Sequence, residues 1–226
     1  MSAGKPAGLL SLATLLAFLS GFVDTAAFIH MKGLFVAHVT GNFVLLGAAL
    51  ASGGAIAGKG PEALQLAALP VFFVAAMLTG AIAGRLSPDR SLAGIVWSAM
   101  LLMLCVAGAS AVLGSGPWDA ASAVVLIAAM GMLNAAHRLN PAMGPPFAVM
   151  TGNVAALAIR TAEVLHLAPP SAGGTSDASR PEARMLRAVI GFAAGCAAGA
   201  LSQTTFGLAA VGLPAVLVMA RLALRK

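Results

Sequence analysis

The stretch GFVDTAAFIHMKGLFVAHVTGN, residues 21–42, joins one apolar run to the next and has a counterpart in GMLNAAHRLNPAMGPPFAVMTGN, residues 131–153. In both stretches a Gly-x-x-Asp or Gly-x-x-Asn element precedes a Thr-Gly-Asn triplet at nearly the same distance. Glycine and alanine are common along the chain, so the paired triplets carry most of the match. We infer an internal duplication, with a first membrane repeat over 1–113 and a second over 114–226.

The composition around these stretches predicts a membrane protein. The chain has 226 residues, of which 60% are hydrophobic and 9% charged, and its mean hydropathy is +0.96. A soluble domain carries about a quarter charged residues. The sequence therefore excludes an ordinary water-soluble fold and a disordered chain, and it predicts an all-α integral membrane protein with the lipid bilayer as its partner.

Eight apolar segments approach the length of about 20 residues that a membrane-spanning helix needs. They are Leu9–Phe28, Leu34–Ala51, Ala63–Ala83, Leu92–Leu113, Ala120–Asn134, Phe147–Leu167, Ala188–Ser202 and Thr205–Ala220. Several are short, so six or seven crossings remain alternatives to eight. With four segments in each half, an even number, we expect two parallel four-helix repeats related by an axis along the membrane normal. The polar stretch 169–184 is expected to be a flexible loop.

Positive charges indicate the orientation, because cytoplasmic loops of membrane proteins are enriched in Lys and Arg. With the N-terminus in the cytoplasm, eight crossings place four basic residues on the opposite side, namely Lys32, Arg85, Arg90 and Arg138. The cytoplasmic side then holds Lys5, Lys59, Arg160, Arg180, Arg184, Arg187, Arg221, Arg225 and Lys226. This count favours both termini in the cytoplasm, although Arg85 and Arg90 fall on the disfavoured side.

Several functional classes are excluded by what the sequence lacks. The net charge is +6, but the basic residues are scattered, which argues against a nucleic-acid partner. Cys105 and Cys196 lie in apolar runs, which is typical of small buried side chains and not of a disulfide or metal site. No nucleotide-binding, hydrolase or haem-attachment motif occurs. We therefore expect no cofactor, no metal and no enzymatic activity, and homo-oligomerisation is not indicated.

The 21–42 string resembles the signature of the bacterial YoaK family, whose members are small multi-spanning membrane proteins of unknown function. The 131–153 string also matches that family's pattern, so the resemblance covers essentially the whole chain. It implies a helical protein of the bacterial inner membrane and identifies no substrate. The second string departs from the pattern at Pro145-Pro146, just before Thr151.

Asp24 is the main candidate for a functional residue. A carboxylate at the centre of a membrane helix costs about 2.5–3.5 kcal/mol on insertion scales, and such residues mark ion or solute paths. The alternative is an interfacial Asp24 that pairs with Lys32 or caps a neighbouring helix. Its counterpart Asn134 can form hydrogen bonds but cannot titrate. If the following loop folds back, His38 can share a proton with Asp24, and these two residues form the predicted proton-responsive pair.

The two Thr-Gly-Asn triplets complete the predicted solute site, which consists of Asp24, Thr40, Asn42, Asn134, Thr151 and Asn153. One interpretation is that each triplet begins a half-helix whose exposed N–H groups and positive dipole end face a solute. The other is close helix packing, with Asn42 and Asn153 bonding across the repeat interface. The two interpretations are compatible.

Small residues at helical spacing predict helix–helix contacts. The positions are Gly80, Gly84, Gly191, Gly195 and Gly199, which suit packing inside the bundle better than oligomerisation.

Three functions remain open from the sequence. The favoured one is a small-solute secondary transporter or permease, proton-coupled through Asp24. The second is a non-transporting scaffold or accessory subunit that binds a partner protein. The third is a membrane enzyme that acts on lipid, although no residue spacing in the sequence requires this function.

Overall fold

Eight α-helices account for most of the residues that the computed structural model describes, which are 11–52, 62–85, 88–148, 150–169 and 179–224. They are α1 (Leu12–His30), α2 (Gly41–Ser52), α3 (Glu62–Ala83), α4 (Pro88–Leu113), α5 (Asp119–Leu139), α6 (Met150–Val164), α7 (Ser179–Phe206) and α8 (Gly212–Ala223). Two short three-ten helices, Pro141–Met143 and Gly207–Val211, lie between them. The described residues contain no β-strand, and the all-α prediction is confirmed.

The helices differ in whether they are long enough to cross a bilayer. Five described apolar stretches qualify by length and composition: Leu12–His30, Glu62–Ala83, Leu92–Leu113, Asp119–Leu139 and the run Glu182–Ala223, which contains both α7 and α8. In contrast, α2 has 12 residues and α6 has 15, so they are about 18 and 23 Å long. A hydrocarbon core is about 30 Å thick. The chain is thus a multi-helix membrane protein in which α2 and α6 lie outside the five membrane-length stretches.

The end of α1 reverses the chain. The N–H of Gly33 donates to the carbonyl oxygen of Phe28 at 2.8 Å, and Lys32 adopts a φ of 56°. Gly33 itself has a φ of 118°, a conformation in which a side chain would be strained. This helix-ending turn matches a Schellman motif, and it sends residues 34–40 back along α1.

A side-chain hydrogen bond places the start of α3. The side-chain Nε2 of Gln65, in the first turn of α3, donates to the carbonyl oxygen of Gly33 at 2.6 Å. The first turn of α3 therefore lies beside the end of α1. After Gly33 the chain folds back along α1 and continues into α2.

The directions of α1 and α5 contradict the predicted parallel relation of the two halves. His30, at the end of α1, lies 3.2 Å from the Oδ1 atom of Asp119 at the start of α5. At the other end, Gly144, which follows α5, lies against Ala13 near the start of α1. The two helices therefore run in opposite directions. The prediction failed because it assumed an even number of crossings in the first half.

Helices of the first half of the chain pack against helices of the second half. α1 packs against α7, and α3 packs against α5. Likewise α4 packs against α5 and α8 against α1, while α4 and α8 contact each other. α1 is the most buried of the membrane-length helices, and α3 is the most exposed, with Phe73, Met77 and Ile82 on the outer surface. An apolar surface of this kind is what a lipid-facing helix requires.

The predicted packing glycines separate into two groups. Gly191, Gly195 and Gly199 lie against the backbone of Thr14, Phe18 and Phe22 in turn, so α1 and α7 run parallel at close approach. An added Cβ at Gly80 would meet no described atom within 4 Å, and one at Gly84 would meet only carbonyl oxygens of its own helix. The packing role predicted for Gly80 and Gly84 is therefore not what the structure shows, because they lie on an outward face of α3.

Some sequence predictions fall outside the described residues. Most of the polar stretch 169–184 does, since residues 170–178 are not described, and so do Lys5, Lys59, Arg225 and Lys226.

Candidate functional site

Asp24 lies inside the bundle and is only 4% exposed. Because residues 34–40 fold back along α1, the N–H groups of Val36 and Ala37 donate to its Oδ1 atom at 2.7 and 2.8 Å. Nδ1 of His38 lies 2.7 Å from Oδ2. These bonds replace the water that a buried carboxylate loses. The structure thus brings Asp24 together with His38, and its bonds go to the returning loop instead of Lys32.

The imidazole of His38 has a defined orientation. When Asp24 is ionised it can only accept hydrogen bonds, and Nδ1 then carries the proton of this contact. The ring also makes an edge-on contact with Phe192 of α7, with centroids 5.3 Å apart. Asp24 from one side and Phe192 from another hold the ring at the boundary between the two halves. The second nitrogen, Nε2, is then the atom that the imidazole can offer to a solute.

Asn42 stabilises the returning loop from within. Its Nδ2 atom donates to the carbonyl oxygen of Phe35 at 2.8 Å, and its Oδ1 atom accepts the N–H of Phe35 at 2.9 Å. This pair of hydrogen bonds to the N–H and carbonyl groups of one residue resembles a hydrogen-bonded pair in an antiparallel β-sheet. Asn42 is 1% exposed, so its amide is used by its own loop and does not bond across the repeat interface.

Asn153 occupies the matching place in the second half, seven residues after its partner. Its Nδ2 atom donates to the carbonyl oxygen of Pro146 at 2.7 Å. Proline has no N–H group, so the second bond that Phe35 makes with Asn42 has no equivalent here. The Pro145-Pro146 pair therefore keeps the hydrogen bond from the asparagine Nδ2 atom to the loop carbonyl and lacks the hydrogen bond from the loop N–H to Oδ1. Both asparagines position loops, which corrects their predicted role as solute ligands.

Asn134 also departs from its predicted role. Its Nδ2 atom donates to the carbonyl oxygen of Met130, one turn earlier on the same helix, at 2.9 Å. In the second half, the contact with the returning loop comes from His137, whose Nε2 atom lies 2.8 Å from the carbonyl oxygen of Gly144. Asn134 is not among the residues that line the cavity described below.

The start of α2 does not present exposed N–H groups as predicted. The N–H groups of Gly41, Asn42 and Phe43 donate to the carbonyl oxygens of His38, Val39 and Thr40, at 2.8, 3.3 and 3.2 Å. The turn before α2 therefore satisfies the first donors of the helix. The side chain of Thr40 remains exposed beside this turn, as does that of Thr151 at the start of α6.

A cavity of about 670 Å³ lies where the two loops meet α1 and α7. It is lined by Asp24, Thr25, Phe28, Phe35, His38, Thr40, Gly41, Ala148, Met150, Thr151, Phe192 and Cys196. Of the predicted site residues, the structure brings Asp24, His38, Thr40 and Thr151 to this cavity. The starts of α2 and α6 thus share one cavity. The loop before α2 leaves the end of α1, and the loop before α6 passes Ala13 near the start of α1.

Sequence reasoning missed the contribution of α7. Phe192 and Cys196 lie one turn apart on α7 and face the cavity from the second half of the chain. The one local feature that could have indicated their role is their position next to the packing glycines Gly191 and Gly195. That position does not show which helix Phe192 and Cys196 would face. Among the described residues, no group of three or more His, Cys, Asp or Glu side chains is placed to hold a metal ion.

A scan against protein families matches residues 12–224 to the model described as a protein of unknown function, DUF1275. The chain belongs to the DUF1275 family. No curated protein and no solved structure matches the chain. Because the DUF1275 match spans almost the entire sequence, both halves and the cavity between them lie within the family's domain. The narrower YoaK resemblance agrees with this assignment and stays a prediction.

Proposed function

We propose that this DUF1275 protein is a small-solute transporter whose solute binds in the cavity between the two halves. The observation that carries the proposal is that the starts of α2 and α6 line one cavity, and that the loops before them lie at opposite ends of α1. Secondary transporters commonly bind solutes near the midplane between inverted repeats, beside helices that begin inside the membrane. The sequence also contains no nucleotide-binding, hydrolase or haem-attachment motif.

The proposal includes six membrane crossings, made by α1, α3, α4, α5, α7 and α8, with α2 and α6 as half-helices. α8 completes its crossing together with the preceding three-ten helix Gly207–Val211. Each half then has three crossings, an odd number, which agrees with the opposite directions of α1 and α5. Packing supports this relation: Gly21 lies against the carbonyl oxygen of Phe192, and its counterpart Gly131 lies against that of Phe72.

The distribution of positive charge supports six crossings in preference to eight. By their positions in the sequence, all of the 13 Lys and Arg residues except Lys32 and Lys59 fall on the side where α1 begins. Arg85 and Arg90, which eight crossings place on the disfavoured side, join this majority. The positive-inside rule then puts both termini in the cytoplasm.

Within this proposal, Asp24 and His38 form the proton-responsive element. Protonation of Asp24 removes the charge that accepts three hydrogen bonds from the loop over residues 36–38. Hydrogen bonds to a charged group are stronger than those to a neutral one. A proton on Asp24 therefore loosens the wall of the cavity, which couples protonation to solute access.

Transport through the cavity can be tested in proteoliposomes. The vesicles are incubated with a defined mixture of small solutes under an imposed proton gradient, and their contents are measured by mass spectrometry. We expect at least one solute to enter faster than into protein-free vesicles, and Thr151→Phe to abolish this entry by filling the cavity. Thr161→Phe, an exposed position on the same helix that does not line the cavity, is the matched control and should transport normally.

Two results would contradict transport. One is wild-type entry equal to that of empty vesicles for every solute, which would favour the scaffold function. The other is equal transport by Thr151→Phe and Thr161→Phe, which would remove the cavity from the transport path.

A further inference from the structure

The cavity contains no charge without a partner among the described residues that line it. Its one carboxylate, that of Asp24, accepts two backbone N–H groups on Oδ1 and contacts His38 on Oδ2. No Lys or Arg side chain of the described residues lines the cavity. If His38 is protonated, its charge is balanced by Asp24 at 2.7 Å. A cationic solute therefore finds no available carboxylate, and an anionic solute finds no uncompensated cation.

The start of α2 does not provide a binding site for an anion either. Its first N–H groups already donate to carbonyl oxygens of residues 38–40, so they do not point at a solute. An anion at a helix N-terminus is held mainly by such N–H groups.

The remaining walls suit a partly apolar molecule. Phe28, Phe35 and Phe192 contribute aromatic surface, and Ala148 and Met150 contribute aliphatic surface. Between them lie three hydroxyl groups, those of Thr25, Thr40 and Thr151, and the imidazole of His38. Hydroxyl groups can donate or accept a hydrogen bond without adding charge. An apolar wall with a few convergent polar groups is the usual design of a small-molecule site.

From this geometry we propose that the solute is uncharged and partly apolar, and that it carries a hydroxyl, amide or carbonyl group bound by His38 and the threonine hydroxyls. An unpaired charge moved from water into such a cavity would lose its hydration without compensation. A neutral polar group loses less hydration free energy than a charge does, and it can form new hydrogen bonds with the polar side chains of the cavity. This inference rests on the cavity assigned under the proposed function and names its substrate class.

Equilibrium binding to the detergent-purified full chain tests the charge preference without measuring transport. The probes are benzamide, benzoate and benzylammonium, which share a ring and differ in charge at neutral pH. We expect benzamide to raise the melting temperature by at least about 2 °C at millimolar concentration, and the two ions to raise it by less than half as much. The benzamide shift should disappear in Thr151→Phe and in Thr40→Phe and persist in Thr161→Phe.

Each result bears on the proposal. A larger shift with benzoate or benzylammonium than with benzamide would overturn it, and so would the absence of any shift with all three probes. A benzamide shift that persists in both cavity variants would reflect binding elsewhere and would also overturn it. Failure of transport in vesicles combined with selective benzamide binding would contradict only the proposed function, so the two failures are distinguishable.

Discussion

At the scale of single residues, Asp24 and Asn134 occupy matching sequence positions but form hydrogen bonds with different partners. Asp24 binds the returning loop through three contacts, whereas Asn134 bonds to its own helix. We expect Asp24→Asn to lower the free energy of unfolding by about 1.5–3 kcal/mol, because the bonds lose their charged acceptor. Denaturant titration in detergent would measure this, with Asn134→Ala as the control of near-zero effect. Equal stability of the two variants would contradict the anchoring role of Asp24.

At the scale of elements, the contact of α1 with α7 depends on the absence of side chains at three positions. A Cβ added at Gly195 would clash with the carbonyl oxygen and Cα of Phe18, both backbone atoms that cannot move aside cheaply. We expect Gly195→Ala to destabilise the protein by about 1–3 kcal/mol through overpacking.

The same substitution at Gly80 provides the matched control for this contact. An added Cβ there meets no described atom within 4 Å, and alanine favours a helix over glycine by about 1 kcal/mol. Gly80→Ala should therefore be neutral or stabilising in the same denaturant titration. Destabilisation of both variants to the same extent would show that the α1–α7 contact is not the cause.

At the scale of the whole molecule, the proposed six-crossing topology with inverted halves predicts a labelling pattern. Single cysteines replace Lys32, Ser115 and Arg138, all exposed, in a chain with Cys105→Ala and Cys196→Ala. We expect an impermeant maleimide on intact cells to label the first two positions and to reach the third only after permeabilisation. Eight crossings with parallel repeats would instead put Lys32 and Arg138 on one side and Ser115 on the other, and that pattern would refute the six-crossing topology.

How far sequence reasoning reached can be judged from particular residues. The link between Asp24 and His38 was predictable, because a buried carboxylate needs partners and a histidine follows within one loop. Thr40 and Thr151 were also predictable from the paired triplets. The roles of Asn42 and Asn153 were not, because the same amide can bond within its loop or across an interface, and only the position of Phe35 and Pro146 distinguishes the two.

By itself the sequence determined that this chain is a helical membrane protein, because composition and hydropathy are local properties, and it predicted eight apolar segments and an internal duplication. Only the tertiary structure decided the relative direction of α1 and α5 and the walls of the cavity. The direction is seen in the contact of His30 with Asp119 at one end of α1 and in that of Gly144 with Ala13 at the other. The walls depend on α7 packing against α1, which brings Phe192 beside His38 across more than half the chain.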